Sequence, residues 1–218
     1  MCIRDRATTP DITQRAIVVE SQRRTQLLRH LIQSEGWSRV MVFAATKYGT
    51  ELVAHKLHRA GIAAAAFHGD LSQGARKAAL QAFKHQELQV LVCTDVAARG
   101  IDIAQLPVVV NYDLPRSPAD HIHRIGRTAR AGASGLAVSF VTEQTESHFR
   151  LIEKRQGQRV ARESLQGFEP GDALSEADAD APEPTESPAP RGLDPNGGIK
   201  GKRKSKKDKL REAAAEKN

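Results

Sequence analysis

Between Ile12 and Phe149 the chain alternates between two textures. Short, nearly continuous apolar runs rich in β-branched residues appear at RAIVVE (15–20), RVMVFAAT (39–46), AAAAFHG (63–69), QVLVCTD (89–95), PVVVNYD (107–113) and LAVSFVT (136–142). Runs of this kind, without strict alternation, are expected of strands covered on both faces. Helical spacing lies between them: Leu27, Leu28, Leu31 and Ile32 share one face, as do Ala79, Leu80 and Phe83. Strand followed by helix, repeated, predicts an α/β fold built of right-handed βαβ units around a mainly parallel sheet. Ligands of such sheets bind beyond the carboxyl ends of the strands. Those ends carry AAT (44–46), HGD (68–70) and TDVAARGID (94–102).

The pattern fails beyond Phe168. Residues 169–198 are Pro-, Ala- and acid-rich, with almost nothing large to bury, and a disordered tail is expected. A basic run, IKGKRKSKKDKLREAAAEKN, ends the chain; it reads as a solvated tail or as an electrostatic tether for RNA. The expected divisions are 1–11 as linker or non-native start, 12–155 as the folded domain, 156–168 as a C-terminal extension and 169–218 as the tail.

The formal charge of +7 and pI of about 9.6 favour a polyanionic partner. Cys2 and Cys93 are far apart and neither belongs to a CxxC pair, so neither a zinc site nor a disulfide framework is expected. No apolar run is long enough to span a membrane. A reducing cytoplasm is the expected location, and no metal site is expected in the chain itself.

Four stretches carry chemistry. HRIGRTAR (123–130) has three arginines and no acid between Asp120 and Glu143. As a helix it would set His123, Arg127 and Arg130 on one face, with Arg124 to the side, and its charge would call for an anion from outside the segment. In TDVAARGID, Thr94 offers a hydroxyl beside a backbone N–H for a phosphate oxygen, Arg99 a charge, Gly100 room for close contact, and Asp102 an acceptor for sugar hydroxyls. HGDLSQGAR (68–76) reads as a helix start capped by Ser72 or Asp70, with Arg76 one turn in. VFAAT (42–46) precedes Lys47.

In order and spacing these stretches resemble the C-terminal RecA-like domain of superfamily 2 helicases, most closely of bacterial DEAD-box RNA helicases. VFAAT is similar to that family's motif IV, Gln73 to Arg76 to its Q-x-x-R segment, TDVAARGID to motif V and HRIGRTAR to motif VI; NYDLP (111–115) is also typical. The resemblance covers about residues 12–155 and implies a three-layer RecA-like fold. It implies that Arg127 and Arg130 are arginine fingers on the γ-phosphate of ATP, and that Gly100 and Asp102 touch the nucleotide. It further implies that Thr46, Lys47, Arg76, Thr94 and Arg99 hold RNA phosphates, and that His123 and Arg124 meet an N-terminal RecA-like domain. Mg would be held mainly by that domain, because the chain has neither a GxxxxGK[ST] loop nor a D-E-A-D run.

The chain therefore reads as half of a motor, inactive as an ATPase by itself. The alternatives are a stand-alone RNA-binding or annealing module and a DNA-directed motor; the wording of motifs V and VI argues against the last. Two positions depart from the family: Ala129 stands where Gly is common, and His121 where Tyr is common. On a helix the methyl of Ala129 would matter little, whereas His121 would lose a packing ring.

Overall fold

In the computed structural model, the structure describes residues 12–101, 103, 105–129 and 134–168. Strands β1 (Ile12–Val18), β2 (Val40–Phe43), β3 (Ala64–Phe67), β4 (Val90–Cys93), β5 (Val108–Asn111), β6 (Gly135–Val141) and β7 (Arg162–Glu163) form one sheet. Its order is β3-β4-β2-β5-β6-β1-β7, and every pairing is parallel. Helices α1 (Arg24–Ser34), α2 (Lys47–Arg59), α3 (Gln73–Lys84), α4 (Asp95–Ala98), α5 (Pro118–Ile125) and α6 (Glu146–Gln156) connect the strands.

Successive strand residues enter opposite layers, which is why the apolar runs are continuous rather than alternating. Val40, Val42, Val90, Val92, Val108 and Val110 pack with Leu27, Leu31, Val53 and Leu57 of α1 and α2. Met41, Phe43, Leu91, Cys93 and Val109 pack on the other face with Phe83 of α3 and Ala97 and Ala98 of α4. The result is a three-layer α/β domain, as expected. All four residues of each of β2, β4 and β5 are buried.

Two strands differ from the sequence expectation. The first strand starts at Ile12 rather than Arg15 and stops at Val18, because it pairs along its whole length with β6, Ile12 opposite Gly135 and Val18 opposite Val141. β7 was not anticipated. It consists of two charged residues added to the outer edge of β1, and Arg162 secures it with bonds to Glu146 and Glu153 of α6. Leu165 and Phe168 then pack back onto the core. No helix among the described residues is long and apolar enough to cross a membrane. The acidic and basic tail (169–218) and residues 1–11 lie outside the described residues.

Candidate nucleic-acid and phosphate interface

The order β4-β2-β5 brings three strand ends side by side, and one arginine spans them. Arg124, only 2% exposed, gives two hydrogen bonds to the Asp95 carboxylate beyond β4, at 2.6 and 2.7 Å. Its Nη1 donates to Asn111 Oδ1 (3.1 Å) at the end of β5 and to the Asp113 carbonyl (2.7 Å). The guanidinium also lies 4.8 Å from the ring centre of Phe43, the last residue of β2. Asp113 continues the tie: its Oδ2 accepts from the Ala45 N–H at 2.8 Å, and its other oxygen pairs with Arg24. Arg124, expected to reach outward to a second domain, is thus turned inward. Its countercharge comes from Asp95, 29 residues away in sequence, which is why HRIGRTAR looks uncompensated when read along the chain.

The helix that carries Arg124 is shorter than its pattern suggests. Ser117 caps it by accepting from the Asp120 N–H at 3.1 Å, Pro118 occupies its first turn, and it stops at Ile125. Beyond Gly126 the chain is drawn out to pair with the segment before β5. Leu106 N–H donates to the Arg127 carbonyl at 3.2 Å, Leu106 bridges Thr128, and the buried Thr128 hydroxyl donates to the Leu106 carbonyl. Arg127 is therefore on a turn and not on a helical stripe with His123.

This also revises the reading of Ala129. It is not helical but adopts φ 51°, in the left-handed region, and is 3% exposed. Gly135 closes around it: a Cβ there would lie 1.9 Å from Thr128 Oγ1 and 2.7 Å from the Ala129 nitrogen. The loss of a packing ring expected at His121 is also revised, because the imidazole itself packs as a ring. It is buried edge-on to Phe149 at 6.1 Å, with Gln156 at 2.6 Å from Nδ1. Burial, with Arg124 nearby, pushes its pKa down to about 4, so the ring is neutral.

Arg127 is half-buried and donates to the main-chain carbonyls of Ile101 (2.9 Å) and Ala98 (3.3 Å). Both of these partners are neutral, and no carboxylate among the described residues cancels its charge as Asp95 cancels that of Arg124. These bonds anchor it to the turn containing Arg99 and Gly100. Gly100 sits at φ +75°, with no atom within 4 Å of where a Cβ would be. His123 is exposed on α5. Arg130 and Asp102 lie outside the described residues.

The remaining candidates border the same strand ends. Thr46 caps α2, its Oγ1 accepting from the Gly49 N–H at 2.9 Å, and Lys47 makes an exposed ion pair with Asp70 at 2.5 Å. That hydrogen bond to Lys47 lowers the Asp70 pKa. Ser72, rather than Asp70, caps α3 by accepting from the Ala75 N–H at 3.2 Å. Arg76 lies 5.3 Å from the ring centre of Phe67, and no acceptor meets its buried Nε. Thr94 is nearly buried and its own N–H is spent on the Phe67 carbonyl at 3.3 Å. Arg99 is exposed and meets Asp120 at 3.1 Å. Sequence reasoning assigned no role to Asp95, Asn111 or Asp113, although they lie within TDVAARGID and NYDLP.

These groups suit anions held at open cations. Burial pushes the Cys93 thiol well up, so it is no nucleophile. No cluster of metal-ligating side chains occurs among the described residues. A nucleotide, as the sequence resemblance implies, fits here at its phosphate end, where Arg127 brings charge and Gly100 leaves space. Its Mg finds no ligand set among these residues.

Residues 23–132 match the family of the helicase conserved C-terminal domain. The chain is 39% identical over 155 residues to the DEAD-box ATP-dependent RNA helicase CshA of Bacillus subtilis, covering 71% of this chain and 31% of that protein. It is 39% identical over 154 residues to the ATP-dependent RNA helicase RhlB of Pseudomonas syringae, covering 71% and 39%. The chain thus spans about a third of the length of such relatives. Among solved structures it is similar to a DEAD box protein of Methanococcus jannaschii, with 36% identity and a TM-score of 0.66 over 72% of this chain and 42% of that one. It is also similar to Saccharomyces cerevisiae Dbp5 bound to RNA and ADP BeF3, with 33% identity and a TM-score of 0.66 over 72% and 42%. The architecture is the RecA-like one of DEAD-box C-terminal domains. The similarity is not confined to bacteria.

Proposed function

The chain belongs to the helicase conserved C-terminal domain family, and from that premise we propose that it is the C-terminal half of an ATP-dependent RNA helicase. It works with an N-terminal RecA-like domain of the same polypeptide, which binds most of the nucleotide and its Mg. Arg127, with Arg130, reaches the γ-phosphate, while Gly100 and Asp102 border the nucleotide. Thr46, Lys47, Arg76, Thr94 and Arg99 hold phosphates of an RNA strand, and His123 meets the partner domain. Arg124 acts one step behind them, holding the ends of β4, β2 and β5 in fixed relation.

The reading is carried by Arg127: a permanent cation tethered by neutral carbonyls, with no described carboxylate cancelling it. ATP supplies the phosphoryl group whose charge builds during transfer, and a finger directed at that charge raises turnover by about 10³–10⁵. Backbone contacts give RNA affinity without sequence choice. The Lys47–Asp70 pair is exposed and contributes little, so a phosphate displaces Asp70 at small cost. The whole enzyme would separate short RNA duplexes as ATP and RNA close the two domains, and it would act in the cytoplasm.

Steady-state ATP hydrolysis with single-stranded RNA tests this. The chain alone should show no turnover, and a polypeptide joining it to its N-terminal domain should hydrolyse ATP in response to RNA. Arg127→Ala in the joined enzyme should reduce kcat by at least about 10³. Turnover by the chain alone, abolished by Arg127→Ala, would refute the division of labour. RNA binding with no ATPase in the joined enzyme would favour a stand-alone RNA-binding or annealing module.

A further inference from the structure

Along α3, Arg76, Lys77, Leu80, Gln81 and Lys84 line one wall of a groove of about 380 Å³, and Arg99, Gly100 and Ile101 line the other. Four of these residues are cations and none is an acid. Arg99 meets Asp120, while Arg76, Lys77 and Lys84 have no carboxylate partner among the described residues. Arg76 and Arg99 belong to the RNA contacts proposed above. Lys84 lies eight residues further along the helix, a span of ~12 Å at 1.5 Å per residue. One phosphate cannot reach both ends. The groove suits a ligand with several negative charges in a row and an apolar face for Leu80.

We infer that this groove carries the RNA strand onward from Arg76 and Arg99 along α3, with Lys77 and Lys84 holding additional phosphates and Gln81 hydrogen-bonding a ribose or base edge. The inference rests on the RNA reading of the preceding section. Continuity favours RNA over an acidic peptide: Arg76 and Arg99, the RNA contacts proposed above, line the same groove as Lys77 and Lys84, and the neutral Leu80 and Gln81 lie between the two cationic positions of the helix. Lys77 and Lys84 then set how many nucleotides this domain covers.

The test uses the full chain and fluorescence anisotropy with single-stranded RNAs of about 5 and about 10 nucleotides, within the footprint range of single-strand binders. The longer RNA should bind more tightly. Lys77→Gln/Lys84→Gln, which preserves helix propensity, should remove that advantage and leave the short RNA unaffected. The slope of log affinity against log salt should fall by about 1.4 for the long RNA only, at ~0.7 per phosphate contact. An equal loss on both lengths, or none, overturns the inference. Displacement of the long RNA by a poly-glutamate peptide whose binding depends on Lys77 and Lys84, with no length effect, also overturns it and assigns the groove to an acidic partner. Arg76→Ala separates the two levels. If it leaves the short RNA unaffected, the RNA reading itself fails; if it weakens that RNA while the double variant changes nothing, only the α3 extension fails.

Discussion

Asp95→Asn removes one negative charge and almost no volume, and it isolates the charge of Arg124 where water cannot reach it. Arg124 is 2% exposed. In the native state Asp95 supplies both oxygens for Nε and Nη2. An asparagine can still accept one of those bonds, and Nη1 keeps Asn111 and the Asp113 carbonyl. What is lost is the countercharge. Breaking a buried pair on one side costs about 3–5 kcal/mol, and the surviving hydrogen bonds place this site near the lower end, at about 3 kcal/mol. For a domain of this size that is a fall in Tm of about 6–12 °C, at 2–4 °C per kcal/mol. Urea unfolding at pH 7 followed by circular dichroism provides the measurement. Removing both charges with Asp95→Asn/Arg124→Met should recover much of the loss, because Met replaces the stem over Phe43 and leaves no charge buried. A single variant within about 1 kcal/mol of the parent, or a double variant as unstable as the sum of the two singles, would refute the view that Arg124 is a desolvated charge held by Asp95.

Further outcomes follow from the turn and from its neighbours. Ala129→Gly should stabilise the domain by about 0.5–1 kcal/mol, since Ala129 is held at a left-handed φ that disfavours a Cβ by about 1–2 kcal/mol; a lower midpoint in the same urea titration contradicts this. Gly135→Ala should cost about 3 kcal/mol or more, since the added methyl would overlap Thr128 and the Ala129 backbone; a variant of normal stability would mean that this corner can move. His121 is neutral with a pKa of about 4 when folded and 6.5 when free. The unfolded chain therefore takes up its proton first as pH falls, and stability is lost from about pH 6.5 down to about 4. Between pH 7 and pH 5 this amounts to about 2 kcal/mol, and His121→Phe should reduce the pH 7-to-5 difference by that amount. An unchanged difference would show that His121 does not titrate below its free value.

Six of the seven strands were visible as apolar runs because a run of apolar, β-branched residues is a local compositional fact, most complete in β2, β4 and β5, which are buried on both faces. α1 and α3 were visible for the same kind of reason, through Leu27–Leu31 and Ala79–Phe83. β7 was not, because Arg162 and Glu163 carry no apolar signal and become a strand only by pairing with β1. The helix over HRIGRTAR was overextended: periodicity continues through Arg127 and Arg130, but the pairing of Leu106 with Thr128 pulls the chain out of it after Ile125.

Taken alone, the order of residues determined the layered parallel architecture and the placement of cationic and hydroxyl-bearing stretches just beyond strand ends, since both follow from short-range pattern. Which of those cations stays available was decided only by tertiary structure. Arg124 and Arg127 are three positions apart and chemically identical, yet one is neutralised by Asp95 and the other rests on uncharged carbonyls. The distinction arises because strand order sets the ends of β4, β2 and β5 side by side, and charge pairing across that distance in sequence leaves no mark on local periodicity.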